Sequence, residues 1–236
     1  MNIIQVKFPA TQYIAEEHPK KQIYLHHTAG GPNGVGTFGW WASNTERVAT
    51  CVSISGIGRG AVEGQIVQGF SSKFWAYHLG LRRDTFSSRK IPYQQLDKTS
   101  IGIEICNWGH LRESNGKFYN YVGGEMTDGI IKLDKPFKGN QYYHSYTDAQ
   151  IESVRQLLLL WNKRYNIPLD YNEDIWDITP RALRGESGVF THNSVTRNKI
   201  DIYPHPKMIE MLKSLKQFFS YSNLVNTLQW LVLVLK

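Results

Sequence analysis

Eight histidines occur in the 236-residue chain, so their positions matter more than their number. His26 closes an apolar stretch, Gln22-Ile23-Tyr24-Leu25-His26, and His27 then leads into the loop-forming run Thr28-Ala29-Gly30-Gly31-Pro32. His192 sits in Phe190-Thr191-His192-Asn193-Ser194, and Asp201 lies nine residues further on, after Lys199-Ile200. Two imidazoles and a carboxylate suit a catalytic zinc ion, because three protein ligands leave the fourth tetrahedral position to water. Such an ion lowers the pKa of its water to about 7 and polarises a carbonyl. Residue type and spacing alone leave the alternative open that each histidine is a hydrogen-bonding or surface residue.

Other groups suit the same chemistry. Glu104 stands in Ser100-Ile101-Gly102-Ile103-Glu104-Ile105-Cys106. Strand alternation puts Ile101, Ile103 and Ile105 on one face and Gly102, Glu104 and Cys106 on the other. A carboxylate there costs free energy unless it is paired or faces a wet cleft. The alternative is a solvent-facing strand residue. Lys199 and Asp201 are two apart, so an extended segment would set a cation beside the carboxylate. His26 and His27 are adjacent on a strand and point to opposite faces, so both should not reach one metal.

These residues need elements to hold them. Strands are predicted at 22–26, 48–55 and 100–106, with a hairpin partner for the second at 61–70 and a short helix within 35–46. Residues 107–146, rich in Gly, Asn and Tyr, read as loop with short strands. Thr147-Asp148-Ala149-Gln150 has the form of a capping box, and Ile151, Val154, Leu157, Leu158, Trp161 and Tyr165 follow at helical spacing, which predicts a helix over 147–166. Residues 168–191 read as a polar, irregular insertion. Pro206 opens a last helix with Ile209, Leu212, Leu215 and Phe219 on one face. Strands interspersed with helices indicate a mixed α/β domain.

Four blocks resemble the zinc N-acetylmuramoyl-L-alanine amidases, a family that includes phage-type lysozyme amidases and peptidoglycan-recognition proteins. Ile23-Tyr24-Leu25-His26-His27-Thr28-Ala29-Gly30 is similar to the family's first motif. Trp75-Ala76-Tyr77-His78-Leu79-Gly80 resembles its Trp-His-x-Gly stretch, Ser100 to Ile105 its central strand, and Thr191-His192 through Lys199-Ile200-Asp201-Ile202-Tyr203-Pro204 its last metal motif. The blocks come in the family's order and cover residues 20–216 approximately. The resemblance implies an α/β fold with a central mixed β-sheet flanked by helices, and an amidase domain over residues 1–216. It implies zinc ligands His26, His192 and Asp201. Glu104 would be the general base or the group orienting the attacking water, and Lys199 the cation at the oxyanion. The bond implied is the amide between the lactyl group of N-acetylmuramic acid and L-alanine. His78, Trp75 and His27 are candidates for lining the substrate groove; each has a plain alternative as a core or hydrogen-bonding residue. The sequence departs from the family at Thr50-Cys51, where an imidazole or aromatic group is common, and in the long insertion before His192.

Composition bounds the rest. The formal net charge of +7 is spread over both halves of the chain, which favours an anionic partner. The charge does not choose among nucleic acid, acidic lipid and cell wall; the resemblance implies peptidoglycan as the partner, not nucleic acid. Cys51 and Cys106 are the two cysteines, too few for a disulfide framework or a four-cysteine zinc module. The run Gly56-Ile57-Gly58-Arg59-Gly60 lies between two predicted strands and reads as a hairpin turn, not a nucleotide loop. His-Glu-x-x-His and Gly-x-Ser-x-Gly are absent. No signal peptide is visible at Met1 to Lys7. Together with the five site residues that the resemblance implies, the compact size and the basic charge, this gives the expectation of a phage endolysin that waits in the cytoplasm until released to the cell wall. A wall-remodelling amidase and a non-catalytic wall-binding module of the same fold are the alternatives. Residues 217–236 form an apolar extension, expected to be helical, whose twelve-residue apolar core is short of the roughly 20 residues that span a bilayer. Packing on the domain or self-association is expected there, with membrane contact as the other option.

Overall fold

The computed structural model describes residues 1, 3–58 and 60–215. In chain order its strands are β1 (Ile3–Gln5), β2 (Gln22–His27), β3 (Val52–Ile54), β4 (Ile66–Gln68), β5 (Ser100–Ile105), β6 (His110–Ser114), β7 (Lys117–Tyr119), β8 (Glu125–Met126), β9 (Ile130–Phe137), β10 (Asn140–His144) and β11 (Gly188–Thr191). The helices are α1 (Gly34–Ala42), α2 (Arg83–Ser88), α3 (Gln95–Lys98), α4 (Asp148–Tyr165) and α5 (Pro180–Leu183). A further helix, α6, is described over residues 206–215.

Six strands form a central mixed sheet in the order β1-β4-β3-β5-β2-β11. β2 pairs parallel with β5 on one side and with β11 on the other, while β3 and β4 make the antiparallel hairpin expected from the sequence. Every residue of β2, β5 and β11 is buried, as expected for parallel strands covered on both faces. Because these three strands run the same way, their carboxyl ends share one edge of the sheet. That edge is where open α/β sheets place their sites.

Helix α4 starts where the sequence predicts. Thr147 Oγ1 accepts from the Gln150 amide and Gln150 Oε1 accepts from the Thr147 amide, each at 3.1 Å, so both ends of the capping box are made. The Gln150 side chain also donates to the Cys106 carbonyl at 2.8 Å, tying the helix start to the end of β5. Ile151, Val154, Leu157, Leu158 and Trp161 form its buried face, and it ends at Asn166 in the left-handed conformation, φ 56°.

The structure differs from the sequence reading in three places. Residues 110–144 are a second sheet of five strands, β8-β7-β6-β10-β9, all paired antiparallel, where loop with short strands is expected. Its strands bury few side chains, so the alternation that marks a strand is weak. Two of its turns are two-residue hairpins with positive φ at both positions, Asn115-Gly116 and Lys138-Gly139. Second, the segment 168–191 is not wholly irregular: Gly188 to Thr191 is the edge strand that carries the chain into His192. Third, the strand predicted at 48–55 pairs only over Val52 to Ile54. The apolar extension 217–236, the domain boundary at 216 and Phe219 lie outside the described residues. Among the described residues no helix is long and apolar enough to cross a membrane.

Candidate active site

The parallel register sets His26 of β2 directly beside Glu104 of β5, and β11 delivers His192 to the same edge. Asp201 returns from the following loop. His26 Nδ1 lies 3.0 Å from His192 Nδ1 and 3.3 Å from Asp201 Oδ2, and His192 Nδ1 lies 2.8 Å from Asp201 Oδ2. The three donor atoms are all within 4.8 Å of one another, an arrangement that could hold a metal ion. Both histidines are buried and Asp201 is half-buried.

The outer nitrogens of the two rings are also engaged. His192 Nε2 is 2.9 Å from the Leu79 carbonyl, which can only accept, so the proton of the neutral ring sits on Nε2. His26 Nε2 is 3.1 Å from His78 Nδ1, and His78 Nε2 is 2.8 Å from Ser100 Oγ. Donation from His26 through His78 to Ser100 leaves both Nδ1 lone pairs facing the Asp201 carboxylate. Acceptors 2.8–3.3 Å apart repel unless a cation lies among them, so the donor set fits a proton or a metal ion. Burial, and then the neighbouring His192, depress His26 to a pKa of about 4, which favours the unprotonated ring. When the cation among them is a proton, burial would raise Asp201, but the attraction and hydrogen bond of His192, and then those of His26, outweigh it and hold the carboxyl well below its usual range.

His78 and Leu79 are themselves held from behind. Asp97 Oδ1 accepts both of their backbone amides, at 3.0 and 3.1 Å. One buried carboxylate therefore fixes the short segment that supplies a partner to each histidine. This support was not legible in the sequence, because Asp97 precedes β5 while His78 lies in an irregular loop.

Glu104 lines the cleft beside His26 and is buried. Burial, and then the charge of Asp201, raise its pKa well above the usual carboxylate value, against the pull of Lys199. Lys199 is exposed and lines the same cleft, whose volume is about 780 Å³. Trp40 and Tyr121, 66% and 61% exposed, stand on its rim, so the second sheet contributes a wall.

The remaining sequence candidates divide. His78 lines the cleft, but both its nitrogens are hydrogen-bonded. His27 also lines it, yet its Nδ1 is 2.9 Å from the Ile202 amide and 2.7 Å from Tyr146 Oη. That nitrogen accepts from the backbone just after Asp201. Ile202 has φ 61°, a left-handed conformation costly for a β-branched residue, and His27 and the Asn193 side chain hold it there. Trp75 is buried away from the cleft lining, edge-on to Tyr77 with Lys98 over its ring. Thr50 lines the cleft, whereas the Cys51 thiol points to the Gly102 carbonyl at 3.7 Å and burial pushes its pKa up to about 12. Cys51 is outside the ligand cluster.

A family model described as N-acetylmuramoyl-L-alanine amidase matches residues 16–206. None of the curated proteins matches the chain. Among solved structures it is similar to PlyL at 17% identity and a TM-score of 0.50, over 90% of this chain and 98% of that one. The Escherichia coli amidase AmiD, solved with anhydro-N-acetylmuramic acid-L-Ala-D-gamma-Glu-L-Lys, is 18% identical with a TM-score of 0.46, over 84% of this chain and 59% of that one. The endolysin amidase LysCS of Clostridium intestinale URNW is 12% identical with a TM-score of 0.47, over 92% and 95%. At 17% identity the likeness to PlyL speaks to the fold alone. The family match spans most of the chain and encloses every ligand candidate, and on it the chain belongs to the N-acetylmuramoyl-L-alanine amidase family, enzymes that act on peptidoglycan.

Proposed function

We propose that the protein is a zinc hydrolase that cleaves the amide between the lactyl group of N-acetylmuramic acid and L-alanine, in the setting of phage-type lysis of a bacterial host. The observation that carries the zinc reading is the convergence of His26 Nδ1, His192 Nδ1 and Asp201 Oδ2 at the edge of an open cleft. When bound there, a zinc ion supplies Lewis acidity toward the scissile carbonyl and lowers the pKa of a water.

The side chains do the rest. Glu104, its proton affinity raised by burial, accepts a proton from the attacking water and delivers it to the departing nitrogen of L-alanine. The Lys199 ammonium offers positive charge to the oxygen that becomes negative as the carbonyl is attacked. Water adds to the carbonyl carbon, the carbon–nitrogen bond breaks, and the products are a lactyl carboxylate and a free L-alanine amino terminus. His27 and His78 brace the ligands from behind, while the exposed rings of Trp40 and Tyr121 offer faces to the glycan or stem peptide. The net charge of +7 supports attraction to an anionic wall.

Metal analysis paired with digestion of purified peptidoglycan tests the reaction. Zinc near one equivalent, new L-alanine amino termini and intact glycan strands by mass spectrometry are expected. Zinc-loaded protein that sediments with the wall yet releases no amino termini would refute catalysis and leave a binding module. For the lytic setting, expression together with a membrane-pore protein should clear a bacterial culture, and Glu104→Gln should not.

A further inference from the structure

Between His192 and Asp201 the chain makes a loop with little regular structure, and this loop carries Lys199. A residue of the second sheet holds it. Lys138, at the tip of the β9–β10 hairpin, donates from Nζ to Asn193 Oδ1 at 2.5 Å, to the Arg197 carbonyl at 3.0 Å and to the Lys199 carbonyl at 2.6 Å. An ammonium has three N–H donors, and these three acceptors use all of them. The Asn193 amide in turn donates to the carbonyls of Asp201 and Ile202, at 3.2 and 2.8 Å. One charged nitrogen thus reaches the backbone of Lys199 directly and that of Asp201 through one side chain. The other end of the hairpin grips the next stretch of the same segment, where Tyr143 stacks on Tyr203 at 4.1 Å and Tyr203 Oη donates to the His144 carbonyl at 2.8 Å. The second sheet contributes no ligand, but it meets the ligand-bearing segment at both ends of this hairpin.

We propose that Lys138 is a positioning residue for the amidase reaction, and that the β9–β10 hairpin is a strut fixing the 193–201 loop so that Lys199 and Asp201 keep their places at the cleft. This inference rests on the roles given above to those two residues. Hydrogen bonds from a charged donor are the stronger kind, and three from one point restrain a loop whose residues 197–200 are exposed.

Two variants separate positioning from stability. Lys138 has φ 48°, so Lys138→Gly relieves the backbone while removing the clamp. Lys138→Met keeps the length of the side chain over Phe137 without the donors. Amide exchange at residues 195–201, kcat and KM on a soluble muramoyl-peptide, and the melting temperature are measured for both. Exchange in that loop should quicken about tenfold or more, with β2 and β5 unchanged, the scale expected when local opening loses one or two hydrogen bonds. The value of kcat should fall about tenfold with KM within about twofold in both variants, and Lys138→Gly, which tolerates the left-handed φ, should melt no lower than Lys138→Met. Wild-type kcat in both variants overturns the proposal, as does wild-type protection of the loop. The underlying functional reading fails separately, if Asp201→Ala binds zinc and turns over normally whatever the loop does in the Lys138 variants.

Discussion

Asp97 touches neither cleft nor substrate, yet its removal should disarm the site. Its Oδ1 accepts the amides of His78 and Leu79, and those two residues partner the outer nitrogens of His26 and His192. Asp97→Ala leaves two buried amides without an acceptor, at roughly 1–3 kcal/mol each, so a loss of about 2–6 kcal/mol in stability is expected. The Leu79 carbonyl and the His78 ring then shift, and disturbed partners of metal-binding histidines typically weaken metal affinity by about 10–100-fold. Asp97→Asn should behave differently. Both amides bond the same oxygen, which an asparagine carbonyl can replace. Burial raises the Asp97 pKa from 3.8 to about 6, with the two amide bonds opposing, so ionising this group disfavours the fold. Between pH 3.8 and about 6 the unfolded chain releases the proton first, and stability falls as pH rises through that window by about 3 kcal/mol. Asparagine cannot ionise, so its curve lacks that fall. Denaturant unfolding of metal-free protein from pH 4 to 7, with zinc affinity by chelator competition, provides the assay. Parental stability and zinc affinity in Asp97→Ala would refute the argument, as would equal damage from alanine and asparagine.

Further outcomes follow from the same geometry. His26→Ala, His192→Ala or Asp201→Ala should lose zinc and activity together, as should treatment with a strong chelator, read by metal analysis and release of L-alanine amino termini. Glu104→Gln should keep zinc and lose most turnover, while Lys199→Ala should keep zinc and fold and lose roughly 2.7–4 kcal/mol of transition-state stabilisation, a rate fall of about 10²–10³. Burial lowers the pKa of His27 from 6.5 to about 4, so its contribution to stability is complete above pH 6.5 and lost as pH falls toward 4. His27→Gln should flatten acid unfolding of the metal-free protein in that window, measured by thermal melts.

The parts of the fold legible in the sequence are those that bury long apolar runs. The runs at 22–26 and 100–106 announced β2 and β5, and Thr147 with Gln150 announced the start of α4. The second sheet was not legible, because its strands are half exposed and show little alternation. Its one strong local signal was Asn115-Gly116, a dipeptide made for a two-residue hairpin. The edge strand β11 escaped because four buried residues in a polar stretch carry no periodicity. At the site, residue types and motif order brought His26, His192, Asp201, Glu104 and Lys199 to one cleft. Sequence reasoning left Trp75 open between groove and core, and the structure buries it away from the cleft lining. Asp97 and Lys138 act through two and three hydrogen bonds that reach across different elements, and no linear pattern encodes those.

The pairing of β2 with β11 has a consequence for biosynthesis. His26 and His192 are 166 residues apart, and they meet only when the last sheet strand docks beside one made near the start. Contacts of such long range form late and slowly. A nascent chain therefore has no assembled ligand cluster until residues 188–201 have emerged, and a translation product that stops before His192 lacks two of the three candidate ligands.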